Sequence, residues 1–63
     1  MDKERYLTEK EVSALTRRAV QTLRNDRHRS RGFPYVKIGR SVRYNLEDVL
    51  GYMEAKKIKP EEL

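Results

Sequence analysis

Sixty-three residues leave room for a single domain with a thin core, because surface outgrows volume as chains shorten. Hydrophobic residues make up 37% of the chain and Asp, Glu, Lys and Arg 40%, which suits a small apolar cluster in a charged shell and speaks against multistep chemistry in a deep pocket. Cysteine is absent, the chain opens on charged residues and no apolar run reaches signal or membrane length, so a soluble, unexported, cytoplasmic chain without disulfides is expected.

Tyr6-Leu7-Thr8 precedes Glu9-Lys10-Glu11, and Thr8 with Glu11 has the Thr-x-x-Glu spacing of a capping box, so a first helix starts there. Val12, Ser13 and Leu15 are its only inward-facing candidates, and the helix is expected to end near Ala14. Thr16 is a second N-cap candidate, followed by a helix from Arg17 to about Arg27 with Val20 and Leu23 buried at i, i+3 spacing. Arg29-Ser30-Arg31-Gly32 has no apolar period, and Phe33-Pro34 cannot continue a helix, so a loop follows.

From Tyr35 to Tyr44 the period changes to two, which predicts a β-hairpin. A two-residue loop at Gly39-Arg40 would set Ile38 opposite Ser41 and split the apolar residues between the two sides of the ribbon. A three-residue loop, Gly39-Arg40-Ser41, pairs Ile38 with Val42, Val36 with Tyr44 and Lys37 with Arg43, and is the expected register. Asn45 caps a last helix with Glu47 and Asp48 in its first turn, and Leu46, Val49, Leu50 and Met53 form its inward stripe. Gly51 weakens that helix by roughly 1 kcal/mol relative to alanine. Residues from Lys59 to Glu62 read as a frayed tail, so one domain spans 1–63 with its core at about 6–57 and a tail at 58–63. The expected core is Leu7, Val12, Leu15, Val20, Leu23, Ile38, Val42, Val49, Leu50 and Met53.

The net charge of +5 is unevenly spread. Between Thr16 and Arg43 nine Lys and Arg stand against the single acid Asp26, while the flanks are slightly acidic, the footprint of a surface that meets a polyanion. With Arg18 as origin and about 100° per residue, Gln21, Thr22 and Asn25 fall within about 60° of it, opposite Val20 and Leu23. Arginine can fork onto guanine, and Gln or Asn can pair bidentately with adenine, while Arg17 and Arg24 flank the stripe and suit phosphates. In the hairpin, Lys37 and Arg43 are expected to face each other on the solvent side with Arg40 and Ser41 at the tip, a repulsion that a phosphate backbone would relieve. Tyr35 and Tyr44 are better read as core than as stacking platforms.

Together these stretches, with Gly32-Phe33-Pro34-Tyr35-Val36-Lys37-Ile38-Gly39-Arg40, Val42-Arg43-Tyr44 and Asp48-Val49, resemble the excisionase-like, MerR-type helix-turn-helix domains, a group that includes small phage and prophage regulators of the AlpA kind. The resemblance covers about Tyr6 to Met53. It implies a mainly α fold with a small β-hairpin, a winged helix-turn-helix in the order helix, helix, hairpin wing, helix. It also implies that the second helix, Arg17 to about Asn25, enters the major groove while the wing, Lys37 to Arg43, meets the adjacent backbone or minor groove. Ala14 stands in the expected interhelical turn, where the family often has glycine. The stretch from Arg27 to Arg31 has no assigned contact.

His28 is the only histidine and no acid or serine has a sensible placement beside it, so neither catalysis nor a metal site is expected, and no cofactor or small-molecule ligand. Double-stranded DNA is the expected partner, alone or with a second copy of the chain or a recombinase, and no membrane. Arg27 to Arg31 resembles an arginine-rich RNA-binding segment, but the exposed aromatic platform typical of single-strand readers is lacking; the alternative is a protein-interaction module, an antirepressor or adaptor gripping an acidic partner.

Overall fold

The computed structural model describes residues 5–60. Its elements are β1 (Tyr6–Leu7), α1 (Glu9–Thr16), α2 (Val20–His28), β2 (Val36–Ile38), β3 (Ser41–Asn45) and α3 (Leu46–Ala55). The fold is a winged helix-turn-helix, three helices with a three-stranded antiparallel sheet in the order β1-β3-β2. Of the expected tail at 58–63, residues Glu61, Glu62 and Leu63 lie outside the described residues.

The caps at two helix starts form as the spacing predicts. Thr8 Oγ1 accepts from the Glu11 N–H at 3.2 Å while Glu11 Oε1 accepts from the Thr8 N–H at 2.8 Å. Asn45 Oδ1 accepts from Glu47 and Asp48 N–H groups at 2.9 and 3.2 Å. Between α1 and α2 the chain departs from expectation. α1 runs on to Thr16, and Arg17, at φ 62 and ψ 28, is its left-handed C-cap, donating its N–H to the Ser13 carbonyl at 2.8 Å. Thr16 does not cap α2, since its hydroxyl turns back to donate to the Val12 carbonyl at 2.8 Å. α2 therefore begins at Val20, with Ala19 as an N-cap that offers no side-chain hydrogen bond. The turn position that favours glycine is Arg17, and Ala14 sits inside α1.

The hairpin takes the register that sequence alternation disfavoured. Val36 pairs with Arg43, Lys37 with Val42 and Ile38 with Ser41, closed by the two residues Gly39-Arg40. Gly39 has φ 60 and Arg40 has no positive φ, which is the φ pattern of a II′ turn, whose twist suits the flanking strands. Directly paired residues share a face, so Lys37, Val42, Tyr35 and Tyr44 look inward and Val36, Ile38, Ser41 and Arg43 outward. Lys37 and Arg43 are therefore on opposite faces, and the expected repulsion between them does not arise.

Leu7, Val12, Leu23, Phe33, Tyr44 and Val49 form the core, with Val42, Leu46 and Tyr52 packed against it. Leu15, Ile38, Leu50 and Met53, expected inside, are exposed, and Val20 is half-buried. α3 is rotated so that Val49 and Tyr52, rather than Leu50 and Met53, face the cluster. Phe33 and Tyr52 supply the missing apolar volume, their ring centroids 4.8 Å apart and tilted by 58°. Gly32 makes the Phe33 placement possible: its φ is +91, and an added Cβ would meet the Asp26 Cβ at 2.8 Å.

Two alanine substitutions should move stability in opposite directions. At Gly51, in α3, an added Cβ meets nothing within 4 Å, so Gly51→Ala should raise stability by about 1 kcal/mol. Gly32→Ala meets both a left-handed φ and a close approach to Asp26 and should lower it by about 1 to 3 kcal/mol. Chemical denaturation of both variants checks the pair, and equal effects at the two sites would contradict the packing described.

Candidate nucleic-acid interface

Two acids absorb four of the central cations. Glu9 Oε2 accepts from Arg24 Nε and Nη2 at 3.1 and 2.6 Å, and Glu9 Oε1 accepts from Arg27 Nη1 at 3.3 Å. Arg27 Nη1 also donates to the Tyr44 hydroxyl at 2.7 Å, and its guanidinium carbon lies 5.8 Å from the Tyr35 ring centroid. Asp26 joins Arg18 Nη2 at 3.5 Å and Arg31 Nε at 3.4 Å. Arg27 thus has a structural place, tying α1, α2 and β3 together, which its position in a basic run did not reveal. The signal was available in the buried tyrosine, whose hydroxyl requires a partner.

The remaining cations, Arg17, Arg29, Lys37, Arg40 and Arg43, form no ion pair among the described residues. Arg17 projects from the interhelical turn. Lys37 and Arg40 line a cleft with Arg27, His28, Tyr35 and Val42, between the C-terminal end of α2 and the inner face of the wing. Arg43 is on the wing's outer face, with Nη1 donating to the Val42 carbonyl at 2.8 Å. Ser41 is exposed beside the tip.

On α2, Gln21 and Asn25 are exposed one turn apart and joined, Gln21 Nε2 donating to Asn25 Oδ1 at 3.1 Å. That bond leaves the Gln21 carbonyl oxygen and the Asn25 amide nitrogen free, an acceptor and a donor on one helix face. Thr22 is half-buried at their side. Arg24 is half-exposed although forked onto Glu9, and Arg18 lies before the helix rather than on it. The structure thus groups Gln21, Thr22 and Asn25 on α2, sets Arg17 and Arg18 in the turn that leads into it, and puts Lys37, Arg40, Ser41 and Arg43 on the hairpin.

A family model described as a helix-turn-helix domain matches residues 6–57. The chain belongs to this family of small excisionase-like DNA-binding domains. Comparisons with curated proteins and with solved structures gave no significant match. In this helix-turn-helix domain α1 and α2 are the helix pair, Arg17 to Ala19 the turn and β2-β3 the wing. No helix among the described residues is long and apolar enough to cross a membrane.

Glu9 gives the domain a pH signature. The hydrogen bond from Arg24 holds its carboxyl below the ordinary value of 4.5, partial burial opposes this, and the charges of Arg24 and Arg27 add to it. A carboxyl lowered in the folded state contributes stability that is full above the unfolded value and is lost as pH falls through the folded one. The melting temperature should therefore fall as pH drops below about 4.5, and Glu9→Gln should flatten part of that fall while lowering stability at neutral pH. An identical pH profile in the variant would contradict the pairing.

Proposed function

We propose that this domain reads duplex DNA sequence-specifically, as a small transcriptional regulator or an excisionase-type recombination accessory factor, and has no catalytic chemistry of its own. α2 enters the major groove, where Gln21 and Asn25 present hydrogen-bonding groups to base edges. Arg17 and Arg18 approach phosphates from the turn, Arg24 from the flank of the helix, and Lys37, Arg40, Ser41 and Arg43 follow the adjacent backbone or minor groove from the wing. The observation that carries this reading is the set of cations without acid partners among the described residues, on both sides of the exposed Gln21-Asn25 pair along the chain. α2 also has no acid in its first turn and no side-chain cap, so its positive dipole end is open to an anion. A single short reading helix gains specificity from a partner, so a second copy or a recombinase on neighbouring DNA belongs to the proposal, with the cytoplasm as its setting.

Two sets of variants separate reading from anchoring. Gln21→Ala and Asn25→Ala should each cost about 1 to 3 kcal/mol on a selected site and relax base preference there. Arg40→Ala with Arg43→Ala should weaken binding to selected and random duplexes by similar factors, and reduce the magnitude of the log-salt slope by about 0.9 for each phosphate no longer neutralised. Titrations at several salt concentrations check both. Wild-type affinity in all three variants would contradict the assignment, and an acidic protein bound with DNA ignored would favour the adaptor reading.

A further inference from the structure

The wing carries an apolar side chain where the fold has no use for one. Ile38 is 70% exposed and Val36 41% exposed on the outer face, opposite Ser41 and Arg43. Ile38 directly precedes the Gly39-Arg40 turn, so it stands at the tip of the ribbon. Solitary exposed aliphatics are ordinary on protein surfaces. This one stands beside Arg40 in the turn and on the same outer face as Arg43, neither of which has an acid partner among the described residues.

A tip with apolar carbon inside a rim of positive charge matches a surface that is anionic at its edges and apolar within. The minor groove has that composition: phosphates run along both edges, deoxyribose carbons form the walls, and its width of about 6 Å brings both walls to any ribbon that enters. We propose that Ile38 is a minor-groove contact, its side chain against the sugar wall and base edges while Arg40 and Arg43 meet the phosphates on either side. This rests on the DNA-reading function above and adds a contact that is apolar and therefore independent of counterion release. A second copy of the chain is the competing occupant, because β2 is a sheet edge. It is three residues long and flanked by cations that would repel their own copies, which disfavours strand pairing.

The test uses wild-type protein and Ile38→Ala on a duplex holding one site, recovered by the wild type from a random library, titrated at several salt concentrations. Ile38→Ala should weaken binding about five- to thirtyfold with an unchanged log-salt slope and an unchanged melting temperature. Unchanged affinity would overturn the contact. So would a loss accompanied by a shallower slope, since phosphate contacts would then have been displaced. A loss confined to cooperativity on a two-site duplex would overturn it too, by assigning Ile38 to a contact between copies instead. Failure of the wild type to recover any duplex would overturn DNA reading itself, and is distinguishable because it appears before any variant is compared.

Discussion

The hydroxyl of Tyr44 is the point on which the rest of the structure turns. Tyr44 is 1% exposed at the middle strand of the sheet, and a buried phenol without a partner would forfeit about 1 to 3 kcal/mol in a domain with only a few to spare. Arg27 answers it from α2, and Glu9 at the start of α1 neutralises the arginine. One half-buried guanidinium thereby ties together both helices of the helix-turn-helix pair and the central strand of the sheet. The relative orientation of α2 and the wing, the two surfaces that DNA would meet, rests on this contact together with the packing of Leu23 and Tyr44 in the core.

The same arrangement sorts the charges. Glu9 and Asp26 hold four arginines close to the fold, so those charges order the helices and the loop before the wing. Arg31 and Gly32 fold against Asp26, which delivers Phe33 to the core and gives the loop its path. Among the described residues, the central cations left without acids are Arg17 in the interhelical turn, Arg29 just after α2, and Lys37, Arg40 and Arg43 on the wing.

Much of this was legible in the residues. Thr8 with Glu11 and Asn45 with Glu47 and Asp48 mark their helix starts through short-range hydrogen bonds that depend on little else, and Gly32 with Pro34 marks the loop. The hairpin register was not legible. Alternation favours gathering Val36, Ile38, Val42 and Tyr44 on one face, and that reasoning holds only when one face must take all apolar residues. Here the inner face is filled by Tyr35, Val42 and Tyr44, the II′ turn at Gly39 sets the pairing, and Val36 and Ile38 remain outside. β1 escaped notice because two residues cannot show a period and its existence depends on Tyr44 and Asn45, far away in sequence. On the candidate site, Gln21, Thr22 and Asn25 fall on α2 as helical angles indicate. Arg17 and Arg18 do not, because the left-handed conformation at Arg17 is a backbone property that an arginine does not announce.

Arg27 and Tyr44 act as a unit in holding α2 to the sheet, and a double-mutant cycle with Arg27→Met and Tyr44→Phe measures that coupling. Tyr44→Phe removes only the hydroxyl, and Arg27→Met removes the donor while keeping an apolar stem. Denaturation of the wild type, the two single variants and the double variant should give an interaction energy of about 0.5 to 3 kcal/mol. Additivity to within about 0.3 kcal/mol would show that the two residues contribute independently, and would contradict an α2 held to the sheet by this hydrogen bond.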